Sequence, residues 1–142
     1  MIYTAMTKEA LKICFDAHKD QTDKSGIPYV FHPFHLAEQM TDELTTTVAL
    51  LHDVVEDSNY TFEDLAAKFP ASVLDALRLL THADDVPYMD YVREIKKNPI
   101  AAAVKMADLQ HNSDLSRVEV VDEKVLTRRE KYLAAMQLLQ EK

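Results

Sequence analysis

Apolar side chains recur every three or four residues along almost the whole chain, which is the spacing of amphipathic helices. Stripes of this kind cover residues 11–18, 44–51, 73–80, 88–95, 100–108 and 126–139. Four prolines, at positions 33, 70, 87 and 99, precede or open a helical pattern, where a missing N–H costs nothing. Residues 117–122 have a short strand-like pattern but no partner strand, so they are interpreted as a connector. The pattern predicts one all-α domain over residues 1–142, a compact bundle of about seven or eight helices.

Composition narrows the class of protein further. The chain has 142 residues, one glycine, one cysteine and a formal net charge of −8. The single Gly26 excludes a phosphate-binding P-loop, and the single Cys14 excludes an internal disulfide and fits a reducing compartment. The acidic balance argues against binding to DNA, RNA or an anionic membrane. No apolar run approaches the ~18 residues of a membrane span, and charges within the first 15 residues argue against a signal peptide. We therefore expect a cytoplasmic protein with a small-molecule partner, and a homo-oligomer stays open.

The most informative stretch is residues 47–57, where an apolar helical pattern meets four polar side chains. His52, Asp53, Glu56 and Asp57 follow one another at helical spacing, which would stack His52 over Glu56 and Asp53 over Asp57. Three carboxylates this close repel one another, and burial makes their desolvation more costly. A bound cation would remove both problems. A solvated acidic helix end is the alternative interpretation.

Two further residues suit the same cation. His32 stands just before Pro33, a rigid position for a ligand nitrogen, and Asp108 interrupts an otherwise apolar, alanine-rich helix. A buried aspartate needs a partner. The structural alternatives are a capping role for His32 and an ion pair of Asp108 with Lys105 or Arg117. Two histidines and two aspartates form a mixed nitrogen and oxygen set suited to Mn²⁺ or another first-row divalent metal.

Four blocks of the sequence together resemble a known protein family. Four blocks occur in order: residues 17–21, residues 24–33 (Lys-Ser-Gly-Ile-Pro-Tyr through His-Pro), His-Asp-Val-Val-Glu-Asp at 52–57, and residues 104–112 (Val-Lys-Met-Ala-Asp through His-Asn). Together they resemble the HD-domain phosphohydrolases, and within them the hydrolase domain of the RelA/SpoT family and its stand-alone small relatives, including the metazoan SpoT homologue. An HD dipeptide alone is a weak signal, but four ordered blocks are a strong one.

The resemblance implies a role for each matching residue. The metal ligands would be His32, His52, Asp53 and Asp108, with Mn²⁺ as the ion; Glu56 and Asp57 would position and deprotonate the attacking water; Lys24, His18 and Asn112 would lie around the nucleotide. The reaction of the family removes pyrophosphate from the 3′ position of guanosine tetra- or pentaphosphate. The metazoan homologue also removes the 2′-phosphate of NADPH.

The sequence also departs from the family pattern at positions that contact substrate. Asp23 stands where an arginine of the hydrolases packs against the guanine base, Leu109 where a basic residue is common, and Leu115 where a small hydroxyl residue often helps to hold the ribose. Gln110 replaces an apolar residue. The metal and water positions are intact while the specificity contacts differ.

The sequence therefore favours a metal-dependent nucleotide phosphohydrolase, first of all a guanosine 3′,5′-bis(diphosphate) 3′-pyrophosphohydrolase. The alternatives are a phosphatase of NADPH or of a nucleoside monophosphate, and a non-catalytic module that binds a metal or nucleotide.

The remaining histidines and the C-terminal cations receive plainer interpretations. His35 is expected at the helix surface or core edge, and His82 at a helix end. His111 is interpreted as a structural histidine or a substrate contact. The pair at residues 128–129 together with Lys131 is expected on a solvated face, from which it could reach a phosphate tail.

Overall fold

The computed structural model describes residues 1–141, whose backbone forms nine α-helices and one short 3₁₀ helix. The α-helices are α1 (Ala5–His18), α2 (Phe31–Glu38), α3 (Glu43–Leu51), α4 (Val54–Asp57), α5 (Phe62–Ala66), α6 (Ala71–Leu80), α7 (Tyr88–Lys96), α8 (Pro99–Asn112) and α9 (Glu123–Gln140), with the 3₁₀ helix Leu115–Arg117 before α9. Seven of them have eight or more residues. The all-α prediction is confirmed.

Side chains just before several helices satisfy the free N–H groups of the first turn. Thr61 and Asp64 form a reciprocal capping box at the start of α5. Asn98 accepts hydrogen bonds from the N–H groups of Ile100 and Ala101, and Pro99 follows it at the first position of α8. These local signals determine where α5 and α8 begin, and α8 carries one of the candidate ligands.

Helix α3 lies at the centre of the molecule. All of its residues from Thr45 to Leu51 are buried, and it packs against α1, α2, α6 and α8. Fully burying one aliphatic side chain contributes roughly 1.5–3 kcal/mol, so this helix is firmly anchored. Helix α9 packs against α7 and α8 and buries Ala135. Because α2, α3 and α8 meet in the core, side chains from all three can converge at one end.

Residues 47–57 do not form the continuous helix that their periodicity suggests. Helix α3 ends at Leu51 and α4 begins at Val54, with Asp53 at φ −108° and ψ 0° between them. The Nδ1 atom of His52 lies 2.7 Å from the carbonyl oxygen of Ala49, which in an uninterrupted helix accepts the N–H of Asp53. The imidazole therefore competes with the backbone for this acceptor. Because the helix is broken here, the side chains of His52 and Asp53 approach each other, with His52 Nε2 3.0 Å from Asp53 Oδ2.

Residues 118–122 are irregular, as predicted for a connector. No helix in the described part of the chain has the length and apolar character needed to cross a bilayer.

Candidate metal centre

Three parts of the fold bring polar side chains to one point. His32 is the second residue of α2, His52 and Asp53 lie in the turn between α3 and α4, and Asp108 comes from α8. One potential ligand atom from each of His32, His52 and Asp53 lies within 4.8 Å of the others. The Asp108 Oδ1 atom is 2.9 Å from His32 Nε2 and 3.8 Å from His52 Nε2. The four residues predicted as ligands are therefore neighbours, and they could hold a divalent metal.

The surroundings of the two ring nitrogens of His52 indicate whether a cation fits this cluster. Its Nδ1–H donates to the Ala49 carbonyl, so the lone pair of the neutral ring is on Nε2. That atom is buried and makes no hydrogen bond of acceptable geometry, although it lies 3.0 Å from Asp53 Oδ2. Burial lowers the pKa of His52, but the charges of Asp53 and Asp108 outweigh burial and raise it well above its ordinary value. A buried ring nitrogen that faces two carboxylates requires a positive charge, which either a proton on the ring or a divalent ion in its place would supply.

Both aspartates of the cluster are carboxylates at neutral pH. Burial raises the pKa of Asp53, but the charge of His52 and a hydrogen bond from the Tyr29 hydroxyl outweigh it and lower the pKa to about 2. Burial likewise raises the pKa of Asp108, and the neighbouring Lys105 ammonium holds it well below its ordinary range. Two ionised carboxylates and two imidazoles are a donor set that suits a first-row divalent metal.

Asp108 is held by three side chains besides its contact with His52. Its Oδ2 atom is 3.0 Å from the Lys105 ammonium, so the ion pair that the sequence offered as an alternative is present beside the cluster. Its Oδ1 atom accepts a hydrogen bond from the Asn112 amide at 2.9 Å and faces His32. The carboxylate is thus fixed in orientation.

The two predicted water-activating residues occupy different positions around this centre. Glu56 lines a cavity of about 240 Å³ together with His52, Asp53 and Asp108. Its Oε1 atom accepts the backbone N–H of His82 at 3.2 Å. The described residues that line this cavity do not include Asp57, which follows Glu56 in α4.

Burial raises the pKa of Glu56 and outweighs the hydrogen bond from His82, and the charges of Asp53 and Asp57 raise it further. Burial and the charge of Asp53 also raise the pKa of Asp57. A carboxylate with a raised pKa is a stronger proton acceptor once it is ionised.

His32 lines a second, larger cavity of about 430 Å³. Lys24 and Asn112, both predicted to lie around the nucleotide, line it. Asn112 and Tyr132 line both cavities, so the two adjoin. Three side chains of the larger cavity carry a positive charge: Lys24, Arg117 and Arg128.

The third predicted nucleotide contact, His18, lies inside the protein. Its side chain is 0% exposed and is absent from the walls of both cavities. Its Nδ1 atom is 2.8 Å from the Gln21 amide oxygen, and its ring is 5.1 Å from the Tyr29 ring between centroids. The described structure therefore places His18 beside Tyr29 and outside both cavities, with its Nε2 atom buried and without a hydrogen-bond partner.

The structure of the loop before α2 shows what Asp23 does at a position where the family pattern has an arginine. Its Oδ1 atom accepts the N–H groups of Ser25 at 2.8 Å and Ile27 at 3.0 Å, and Gly26 has the positive φ of 83° that completes this tight turn. Its Oδ2 atom lies 3.7 Å from the Arg117 guanidinium. Asp23 therefore stabilises its own loop and pairs with a cation of the larger cavity.

Position 109 has an equally simple explanation. Leu109 is 0% exposed and belongs to the hydrophobic core. The apolar side chain therefore suits this buried position.

Sequence reasoning missed or undervalued four side chains at the site. The Tyr29 hydroxyl donates to Asp53, and Tyr132 lines both cavities. Arg117 lies in the stretch that follows α8, which carries no periodic signal. Arg128 and Tyr132 are four residues apart on α9, and this spacing on one helix face was the available signal.

His111 is the last polar group of the cluster. Its Nδ1 atom lies 2.7 Å from His32 Nδ1, and its ring lies 4.2 Å from the His35 ring between centroids, tilted by 31°. Burial and the nearby Arg117 charge lower the pKa of His111 to about 3, so the ring is neutral.

An all-helical fold in which two histidines and two aspartates converge from α2, the α3–α4 turn and α8 defines the class: a helical protein with a candidate divalent-metal centre. The chain belongs to the HD-domain family, which it matches over residues 10–122. This range contains all four candidate ligands, and the resemblance found in the sequence is confirmed.

Named relatives support the same placement. The guanosine-3′,5′-bis(diphosphate) 3′-pyrophosphohydrolase MESH1 of Danio rerio is 33% identical over 128 residues, which cover 80% of this chain and 71% of that protein. The guanosine-3′,5′-bis(diphosphate) 3′-pyrophosphohydrolase of Vibrio cholerae is 39% identical over 87 residues, or 58% of this chain and 12% of the relative. The bifunctional (p)ppGpp synthase/hydrolase SpoT of Escherichia coli K12 is 32% identical over 120 residues, or 74% of this chain. The chain spans only 12% and 17% of the length of these two bacterial relatives.

The fold is also similar to a solved structure, that of a metazoan ortholog of SpoT that hydrolyzes ppGpp. The TM-score is 0.76 at 25% identity, and the similarity covers 99% of this chain and 88% of that one.

Proposed function

We propose that this protein is a metal-dependent nucleotide phosphohydrolase that removes pyrophosphate from the 3′ position of guanosine 3′,5′-bis(diphosphate), with Mn²⁺ as its ion. The observation that carries the proposal is the convergence of His32, His52, Asp53 and Asp108 beside Glu56, between two cavities lined by cations. The names of the relatives supply the substrate, because they act on this nucleotide.

The ligand set supports the choice of metal. His32 and His52 would supply nitrogen, and Asp53 and Asp108 oxygen, which suits Mn²⁺ among the first-row ions. When bound, such an ion lowers the pKa of a coordinated water from ~15.7 toward neutrality and offsets charge on the phosphoryl oxygens.

Glu56 is the proposed general base. Its carboxylate lies in the wall of the cavity that contains His52, Asp53 and Asp108. Water attacks the phosphorus bonded to the ribose 3′ oxygen, and Glu56 accepts the proton that the water loses. The bond from phosphorus to that oxygen breaks, and the leaving oxygen takes up a proton from the Glu56 carboxyl or from solvent. The products are therefore pyrophosphate and a nucleotide with a free 3′ hydroxyl. Asp57 assists through its negative charge, which raises the pKa of Glu56.

The distribution of cations supports a substrate with two separated phosphate groups. Lys24, Arg117 and Arg128 line the larger cavity, and Lys105 and Lys131 line the smaller one. The chain as a whole has a net charge of −8, so these cations offset the local charge where an anion would bind. A nucleoside monophosphate would use only one of the two groups of cations.

Three broader expectations belong to the same proposal. Residues 1–142 act as one domain, in which α9 completes the site by placing Arg128 and Tyr132 in the larger cavity. The partner is a small phosphorylated nucleotide. The compartment is the cytoplasm, consistent with the single, buried Cys14 thiol.

The test is product analysis with purified protein loaded with Mn²⁺. Guanosine 3′,5′-bis(diphosphate), NADPH and nucleoside monophosphates are supplied in parallel, with and without a chelator. We expect pyrophosphate from the first compound, and its release should stop on chelation. Phosphate from NADPH or a monophosphate alone would assign a different substrate, and no product from metal-loaded protein would favour a binding module.

A matched pair of variants isolates the chemistry. Glu56→Gln should bind the metal normally but lower turnover by roughly 10²-fold or more, as expected for loss of a general base. Glu63→Gln changes an exposed glutamate on α5 and should have normal turnover. Normal turnover in Glu56→Gln would remove Glu56 from the mechanism.

A further inference from the structure

The two histidines of the candidate centre have different partners at Nδ1. His52 Nδ1 lies 2.7 Å from the backbone carbonyl of Ala49, whereas His32 Nδ1 lies 2.7 Å from a side-chain atom, Nδ1 of His111. A histidine binds a metal through a nitrogen lone pair, and the hydrogen bond at its other nitrogen determines which nitrogen is free. In His52 the backbone carbonyl of Ala49 binds Nδ1–H, so Nε2 is the free nitrogen. In His32 the free nitrogen depends on His111.

A hydrogen bond between two neutral imidazole nitrogens has one donor and one acceptor. If His111 donates, the proton of His32 is on Nε2, which lies 2.9 Å from Asp108 Oδ1, and no lone pair faces the centre. If His111 accepts, His32 carries its proton on Nδ1 and turns the Nε2 lone pair toward Asp108 and His52. Only the second arrangement leaves His32 able to bind a cation.

The surroundings of His111 hold its ring in place for this role. The rings of His32 and His111 are parallel within 5°, and the His35 ring lies 4.2 Å from that of His111 between centroids. The Arg117 guanidinium donates to the His111 carbonyl at 2.8 Å. His111 lies three residues after Asp108, on the same face of α8. One helix face thus supplies one ligand and orients another.

We infer that His111 is a positioning residue that accepts the Nδ1–H of His32 and thereby fixes the His32 tautomer whose Nε2 lone pair faces the metal centre. This inference rests on the metal site of the proposed function but not on the identity of the substrate.

The first test measures Mn²⁺ binding alone, from the electron paramagnetic resonance signal of the free ion. His111→Leu removes the acceptor and should weaken binding about 10–100-fold, as loss of an outer-shell partner typically does. His111→Asn places an amide oxygen near the position of Nδ1 and should recover most of the affinity. His35→Ala removes only the packing ring and should change the affinity less than about threefold, within the scatter of context effects.

The second test uses the unaltered protein, so it does not depend on variants that fold. In ¹⁵N-labelled protein loaded with diamagnetic Zn²⁺, the hydrogen-bonded proton should be attached to His32 Nδ1 and coupled to the nitrogen of His111. A merely structural His111 would not produce this coupling. A proton attached to His111 Nδ1 instead would overturn the inference.

The outcomes separate this inference from the proposed function. Mn²⁺ binding that is equal in wild type and folded His111→Leu overturns the role of His111 and leaves the hydrolase proposal intact. A wild-type protein that binds no divalent ion overturns both. Binding that follows the predicted order, without turnover of any nucleotide, supports the inference and contradicts the hydrolase.

Discussion

At the scale of single residues, the candidate centre is governed by the charges packed around a few buried atoms. His52 Nε2 is buried without a hydrogen bond, and Asp108 is ion-paired with Lys105 at 3.0 Å. Removing one carboxylate therefore has two separable effects, on the metal and on the fold. The two aspartates should differ in which effect dominates.

Asp53→Asn should abolish Mn²⁺ retention and destabilise the metal-free protein less than Asp108→Ala does, because an amide still accepts the hydrogen bond from Tyr29. Asp108→Ala should lose the metal and also destabilise the metal-free fold by about 3–5 kcal/mol, since it leaves the Lys105 ammonium buried without its partner. Metal analysis and urea unfolding measure the two effects. Full Mn²⁺ content in either variant would contradict the ligand assignment.

The pH dependence of turnover tests the environment of Glu56. Its pKa is raised by burial and by the charges of Asp53 and Asp57. A general base must be ionised, so turnover should rise as pH passes upward through this raised pKa. Asp57→Asn removes one repelling charge, lowers the pKa of Glu56, and should shift the acidic limb of kcat to lower pH. An unshifted limb would show that Asp57 does not influence the base.

At the scale of secondary-structure elements, much of the fold could be predicted because periodicity and caps are local signals. The stripe at residues 100–108 and Pro99 at its start correctly predict α8 and the inward position of Asp108. The break between α3 and α4 could not be predicted, since the helical pattern continues through residues 52–57. Its cause is a competition between the His52 ring and the backbone for one carbonyl, which depends on the three-dimensional packing.

The same limit applies to the connector after α8. Arg117, in its 3₁₀ helix, contacts the His111 carbonyl and approaches Asp23 in a distant loop. Asp23 is distant in sequence, and His111, six residues before Arg117, is not at a helical spacing from it, so periodicity contains no trace of these contacts. The family resemblance predicted the sites of Lys24 and Asn112, but it also implied a contact for His18, which the structure places in the interior.

Arg117 should therefore contribute to nucleotide binding. Arg117→Ala should raise KM for the nucleotide by about 10-fold, corresponding to one lost charged hydrogen bond of about 1.4 kcal/mol. Arg93→Ala, which removes an exposed arginine paired with Asp90 on α7, is the control. Steady-state kinetics measure KM for the nucleotide in both variants. Equal KM values would exclude Arg117 from substrate binding.

At the scale of the whole molecule, metal binding should stabilise the fold, because the ligands come from α2, the α3–α4 turn and α8 and meet only in the folded state. Cys14 provides a probe of this coupling. Its side chain is 1% exposed, and burial together with the charge of Asp53 raises its pKa to about 12, so the thiol reacts only after the structure opens.

Saturating Mn²⁺ at about 100 times its Kd should add about 2.7 kcal/mol of stability and slow thiol labelling of Cys14 by about 100-fold. Asp53→Asn should show no such protection. The labelling rate with a chromogenic disulfide reagent measures both proteins under identical conditions. An unprotected wild-type thiol at saturating metal would mean that the ion does not bridge these elements.

The most direct test of the central proposal is a Mn²⁺ titration of the metal-free protein in the presence of guanosine 3′,5′-bis(diphosphate), followed by pyrophosphate release. We predict no release without metal, an increase that saturates at about one ion per chain, and roughly 10²-fold less release in Glu56→Gln at the same metal content. Release that is independent of Mn²⁺, or no release from fully loaded wild-type protein, would contradict the proposal.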